Sequence, residues 1–449
     1  MHYIPNTDED IAEMLKVIGV ESEEELFSYI PYLLKKSLDL PASLSEVELL
    51  RHTMELSERN NNLQRVSSFI GGGSYHHFIP SVVSAVLSRS EFYTSYTPYQ
   101  PEISQGTLQA IFEFQTYICM LTGMDVCNAS MYDGASAAAE AVLMAFRHTG
   151  KSRIIASRAV NPHYRQVMKT YVGGRGGSFV EIEFELSDGS TSLEALEEAI
   201  DDSTACVVIQ SPNFFGIIEK IRDFTEVVHK HGALLIVVFT EALAYGLIRP
   251  PGEFGADIVG GEGQSLGIPP GFGGPNLGLL GCRLDYLRNL PGRLVGETTD
   301  VNGKRAYVLT LTAREQHIRR AKAASNICSN EGLCALAAAV YLSSLGKEGL
   351  FNISKINHLK SEYTKRMLLA IPGVRLKFGN STFNEFVIEI EENPEKLLEQ
   401  LAERGVIGGI SLAKYYSELS NSILITVTEM NTLEDIEKLA EEFRKLIQE

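Results

Sequence analysis

Apolar and polar positions divide the chain into three stretches with different periods. In residues 1–65, apolar side chains recur at helical spacing between acidic runs. Thr7-Asp8-Glu9-Asp10 sets a capping side chain ahead of three acids, where free N–H groups favour negative charge, and predicts a helix over 8–17. Ser22-Glu23-Glu24-Glu25 opens a second helix, and 43–59 reads as a third. These helices are short and polar for a domain. We therefore expect an arm that lies across a neighbour, either the body of this chain or another subunit.

Residues 66–330 alternate helical stretches with unbroken apolar runs, at 153–156 (RIIA), 205–210 (ACVVIQ) and 234–239 (LLIVVF). Runs without polar interruption predict strands buried on both faces of a parallel sheet. Between the last two, 223–231 predicts a crossover helix ending at His231-Gly232. Strand, helix and strand joined by short loops form the right-handed unit of an α/β domain. Ligands of such sheets bind beyond the carboxyl ends of the strands. Residues 331–449 change period again. A helix at 331–345, strands at 384–390 and 422–427, and helices at 394–404 and 432–447 predict a small α+β domain.

Composition narrows the partners. Forty basic residues against 57 acidic ones give a net charge of −17, which argues against nonspecific nucleic-acid binding. Arg319-Arg320 with Lys322 reads as a solvated helix face. Six cysteines, at 119, 127, 206, 282, 328 and 334, form no CxxC pair. With no secretory pattern at the start, they predict reduced thiols in a cytoplasmic protein. No unbroken apolar run reaches the roughly 18 residues a bilayer requires, so no membrane span is expected.

Four stretches concentrate candidate chemistry. MYDGASAAAE, 131–140, places Gly134, Ala135 and Ser136 at the opening of a long helix. Small residues there leave N–H groups open to a phosphate, or simply let a capped helix pack closely on the sheet. QSPNFFG, 210–216, turns at the carboxyl end of a strand, facing a ligand or merely turning. IGGGSYHHFIP, 70–80, and YTSYTPYQPEISQG, 93–106, lack periodicity and predict loops. Polar loops with rigid aromatics line sites or pack between subunits. The adjacent His76 and His77 lack a third ligand at metal spacing, so no metal site is expected.

GGGSYHHFIPSVV, YTSYTPYQPEISQGTLQAIFEFQT and QSPNFFGIIEKI resemble the glycine cleavage system P-protein, the decarboxylating glycine dehydrogenase. The resemblance runs through nearly the whole chain, and TPYQPEISQG is its most specific part. The family occurs as one chain with two homologous halves or as two subunits, and this chain is similar to the separate first subunit. The resemblance implies an α/β fold of the pyridoxal-phosphate-dependent transferase type (fold type I, the aspartate aminotransferase architecture). Such a fold has a large, mostly parallel-sheet domain, here 66–330, and a small C-terminal α+β domain, here 331–449, after an arm at 1–65.

In that family the second subunit carries the Schiff-base lysine shortly before an Ile-Pro and a glycine-rich run. Laid on Ile268-Pro269 and 271–274 of GGEGQSLGIPPGFGGP, that lysine falls on Gln264, whose amide cannot form an imine. The strand end at Val238-Phe239-Thr240 also lacks the acid that would face the cofactor ring, and only Glu241 follows. Lys304, the next lysine, sits in a polar segment that reads as a loop or hairpin. The resemblance thus implies pyridoxal phosphate on the partner subunit of an α2β2 assembly, glycine as substrate, and a lipoylated H-protein as acceptor. Expected to wall the partner's site are Ser74, His76 and His77 in one loop, with Tyr96, Thr97, Tyr99, Gln100 and Glu102 in the other. Tyr and His would donate to the cofactor phosphate or the glycine carboxylate, and Gln100 and Glu102 would orient them. Gly134, Ala135 and Ser136 would be a vestigial phosphate turn. A scaffold or regulatory subunit and a self-sufficient pyridoxal-phosphate enzyme remain as alternatives; the polar loops favour a site wall over a scaffold.

Overall fold

The computed structural model describes residues 5–32, 39–63, 65–95, 98–327 and 331–448. They fall into two units, divided between Asn61 and Asn62. In the first, helices α1 (Asp8–Ile18) and α2 (Glu46–Ser57) each begin with a reciprocal capping box, Thr7 with Asp10 and Ser45 with Glu48. None of this unit's described residues is buried. Val17, Ile18, Leu49, Leu50 and Met54 are exposed, so the apolar stripes of both helices lack a core.

The second unit is built on a seven-stranded sheet. Four of its helices are α3 (Gln105–Thr122), α4 (Gly134–Thr149), α5 (Pro162–Gly174) and α6 (Ile221–Lys230). Its strands are β1 (Val126–Cys127), β2 (Arg153–Ser157), β3 (Ser178–Ile182), β4 (Thr204–Gln210), β5 (Leu234–Phe239), β6 (Ile258–Glu262) and β7 (Gly278–Cys282). They lie side by side in the order β1-β7-β6-β5-β4-β2-β3. The five from β6 to β3 are parallel, β7 is antiparallel to β6, and β1 is antiparallel to β7. Every residue of β4, β5, β6 and β7 is buried. Alternate side chains explain this. Val207, Ile209, Leu235, Val237 and Phe239 face α3 and α6, while Cys206, Val208, Leu234, Ile236 and Val238 face the alanine-rich α4.

A hairpin, β8 (Val295–Thr299) with β9 (Arg305–Leu309), follows the sheet. Helix α7 (Gly332–Leu369) runs well past the predicted 331–345, with a break at Gly346 (φ 59°, ψ −173°) that glycine tolerates. Among the described residues, α7 alone is long and apolar enough to cross a membrane by length and composition. Its first half is packed in the core through Ala335, Ala337, Ala338 and Tyr341.

A second sheet, of β10 (Arg375–Leu376), β11 (Glu385–Glu389), β12 (Ile410–Ser411) and β13 (Ser422–Thr426), has the order β10-β11-β13-β12 and is antiparallel. Helices α8 (Pro394–Glu403) and α9 (Leu433–Gln448) cover one face through Leu397, Leu401, Ile436, Leu439 and Phe443. The other face, through Val387 and Leu424, meets Phe214 and Phe215 from the end of β4. Ser67 and Ser68 pair with Val406 and Ile407, and Phe69 is buried in the smaller core. The chain therefore passes from the smaller layer to the larger one through the segment 70–78.

Candidate functional site

Segment 70–78 crosses the carboxyl ends of β5 and β6, where ligands of such sheets bind. Its own groups fill that place. Gln264, two residues beyond β6 and fully enclosed, accepts a hydrogen bond from the Tyr75 N–H at 2.8 Å. Its Nε2 donates to the Tyr75 carbonyl at 3.0 Å and to the Ile268 carbonyl at 2.5 Å. The Tyr75 phenol donates to Glu385 at 2.9 Å and meets the Thr240 hydroxyl at 2.9 Å. Burial, with Glu385 and Glu241 nearby, pushes this phenol well up, so it stays a neutral donor. Glu385 also accepts from the Gly72 N–H at 2.7 Å and from Thr426 at 2.8 Å. Burial outweighs these bonds and raises its carboxyl to about 7.

His77 closes the far end of the segment. Its Nε2 lies 2.8 Å from Glu241 and its Nδ1 2.8 Å from Glu429. Burial opposes charge on the ring, but the two carboxylates prevail and push it up to about 10. Glu429 is held below the usual range: burial opposes this, and the His77 bond wins. Both ring nitrogens of His77, expected above to face the partner's site, are thereby engaged within the chain and neither is left to donate to a ligand. Between these fixings Ser74 is exposed and His76 is half-buried. The His76 carbonyl accepts from Thr428 at 2.7 Å. Burial and the charge on His77 lower the His76 pKa, leaving a neutral imidazole.

The turn at 134–136 is also occupied from within. Asp133 caps α4 by accepting from the Ser136 N–H at 2.7 Å, and Ser136 returns a bond to the Asp133 N–H. The Gly134 N–H donates to Glu262 at 2.9 Å, and the same carboxylate accepts from the Gln264 and Leu277 N–H groups at 3.0 and 2.9 Å. A Cβ on Gly134 would lie 1.9 Å from the Tyr164 hydroxyl, so only glycine permits this approach. Burial raises Glu262 to about 7 against the pull of its backbone donors. A carboxylate of this chain thus stands where the helix start would receive a phosphate.

Pyridoxal phosphate needs an amine, an anion seat and an acid for its ring. This chain presents an engaged amide, a helix start already facing Glu262, and Thr240 tied to Tyr75. These residues do not fit the cofactor. Glu241 is paired with His77 and caps the following turn through the Leu243 N–H. Lys304 is exposed in the turn of the β8–β9 hairpin. The turn after β4 offers no open group either. Asn213 bonds to the Gly189 carbonyl, Glu219 and two backbone N–H groups, and Phe214 and Phe215 join a buried aromatic cluster with Phe184, Phe378 and Tyr416.

In the second loop, Tyr96 and Thr97 lie outside the described residues. Tyr99 is 43% exposed, accepts from Arg293 at 3.0 Å under a guanidinium 5.2 Å from its ring, and meets the His317 ring edge-on. Gln100 and Glu102 are exposed beside it. Gln105 fastens the end of the loop to both backbone groups of Tyr307. Among the described residues, no hydrogen bond, ion pair or ring contact joins the two loops, and no group of three His, Cys, Asp or Glu is placed to hold a metal. Sequence reasoning missed Glu385, Glu429, Glu262 and Arg293, because each acts on a residue more than a hundred positions away.

A model of the glycine cleavage system P-protein matches residues 1–443. The chain belongs to the glycine cleavage system P-protein family. A relative from Moorella thermoacetica, a probable glycine dehydrogenase (decarboxylating) subunit 1, is 51% identical over the full length of both chains. Its counterpart in Desulfitobacterium hafniense is 50% identical over 98% of each. A crystal structure of a P-protein in inhibitor-bound form is 43% identical, covers 99% of this chain and 100% of its own, and superposes with a TM-score of 0.91. A sphingosine-1-phosphate lyase of Burkholderia pseudomallei, 14% identical over 94% of each chain with a TM-score of 0.67, shares the fold. This P-protein family member has the pyridoxal-phosphate-dependent transferase fold of type I.

Proposed function

We propose that this chain is the first subunit of a two-subunit glycine-decarboxylating enzyme. It completes a reaction site whose pyridoxal phosphate is held by the homologous second subunit, in an α2β2 assembly in the cytoplasm. Glycine would lose carbon dioxide there, and its aminomethyl group would pass to the lipoyl arm of the H-protein. Gln264 carries the reading. Where a cofactor enzyme of this fold keeps its lysine, this chain keeps an amide bonded to its own backbone. The exposed Ser74, the half-buried neutral His76, and Tyr99, Gln100 and Glu102 are the groups left to face a partner. Tyr96 and Thr97 join them as candidates. Their work would be to hold the glycine carboxylate and keep water from the reacting carbon.

The test is reduction with borohydride in the presence of pyridoxal phosphate, followed by mass spectrometry, on each subunit and on the mixture. Glycine-dependent exchange of labelled bicarbonate runs beside it. We expect no lysine adduct on this chain, one on the second subunit, and exchange in the mixture alone. A stoichiometric adduct on this chain would refute the reading.

A further inference from the structure

The bonds at Gln264 assign this side chain a task beyond the absence of an amine. Two residues of an antiparallel pair exchange N–H and C=O bonds; here a side-chain amide makes that exchange with Tyr75, accepting at 2.8 Å and donating at 3.0 Å. Its second donor reaches the Ile268 carbonyl. Only an amide side chain presents an acceptor and two donors on one rigid plane; lysine can only donate, and a carboxylate can only accept. Gln264 fixes the backbone at Tyr75, and the Tyr75 phenol is then set between Thr240 and Glu385. Ser74 and His76, on either side of Tyr75, are the candidate wall residues of this segment.

We propose that Gln264 is a positioning residue, which holds the Tyr75 backbone so that Ser74 and His76 are presented to the second subunit's reaction site. The proposal rests on the half-site reading above. The His77 clamp and the Thr428 bond to the His76 carbonyl fix one end of the segment and the Gly72 bond to Glu385 the other, and Gln264 holds the middle between them. A shift of the middle moves Ser74 and His76 without releasing the ends. Misplacement on the order of an ångström lowers turnover steeply while leaving binding surfaces intact.

The experiment uses the assembled enzyme with two variants, Gln264→Leu and Gln264→Glu, and measures bicarbonate exchange, affinity for the second subunit and the pH profile. For Gln264→Leu we expect unchanged assembly and a fall in kcat of roughly ten- to a hundredfold, with KM for glycine changed less. Gln264→Glu can accept from the Tyr75 N–H but can donate to a carbonyl only when protonated. Its kcat should therefore recover as pH falls, in a limb absent from the unsubstituted enzyme. The titratable neighbours, Glu262 at the same strand end, Glu385 and Glu241 around the Tyr75 phenol, and His77, are common to both proteins. The difference between the profiles thus belongs to position 264. Gln264→Glu also serves if the leucine variant does not fold, because each pH compares one protein with itself. Wild-type kcat in both variants, or loss of assembly in both, would overturn the proposal. A mixture lacking this chain that turns over at the full rate would instead refute the half-site reading, so the two failures are distinguishable.

Discussion

The amide of Gln264 is locked to the backbone at Tyr75 and Ile268. Replacing it with lysine introduces an amine, while Glu262 stays at the helix start and the bonds at Gly72 and His77 keep segment 70–78 in the cleft. We expect Gln264→Lys, treated with pyridoxal phosphate and borohydride, to give no adduct at 264 by mass spectrometry; a stoichiometric adduct there would show an open cleft. His77 makes a second prediction. Its pKa of about 10 in the folded chain lies above the ordinary 6.5, so the clamp is complete below about pH 6.5 and is lost as pH rises through about 10. Gln at 77 leaves two carboxylates without their cation, at a cost of about 3–5 kcal/mol. Urea unfolding should show the gap between wild type and His77→Gln widest near pH 6 and narrowing toward pH 10. Gln264 could be singled out in the sequence because an Ile-Pro and a glycine-rich run follow it, where the resemblance implies a lysine. Glu385 and Glu429 were not, because their bonds to Tyr75 and His77 span 310 and 352 residues, and no local pattern records such a pairing.

Helix α4 shows the same substitution of internal for external partners on the scale of an element. Its first N–H groups face Glu262 and Asp133, and its positive end is neutralised by the chain itself. Glu262→Ala should empty that seat. We expect inorganic phosphate to raise the thermal midpoint of the variant and not that of the wild type, as read by differential scanning fluorimetry; no response in the variant would mean that the turn closes on itself. Elements were legible in proportion to their periodicity. β2, β4 and β5 stood out as unbroken apolar runs because both faces are buried. The continuation of α7 past 345 did not, because it buries Ser354, Asn357, Ser361 and Thr364, and polar residues on an inward face erase the stripe that marks a helix. The turn of QSPNFFG was legible, but the burial of its phenylalanines against the smaller sheet was not.

Over the whole molecule, three buried carboxyls act together. Glu219, Glu262 and Glu385 are each raised from 4.5 to about 7 by burial. The folded chain keeps these protons where the unfolded chain has released them, so stability falls as pH rises from about 4.5 through about 7. The His77 clamp adds a loss of the same sign at higher pH. Thermal midpoints of the isolated chain should accordingly drop between pH 5 and pH 8, and a rise would contradict the burial of these acids. The first unit, with no buried residue among those described, should be the first part cleaved by a protease in the isolated chain, and should gain protection when the second subunit is added. The filled cleft also bears on how the chain can change over generations. An independent cofactor site would require new residues at 264, 262 and 240 and a displaced loop, and any one of these alone loosens Tyr75 or the start of α4 before it helps chemistry. On the half-site proposal, dependence on a partner would act as a ratchet: easy to enter by losing one lysine, and closed behind by the bonds that took its place.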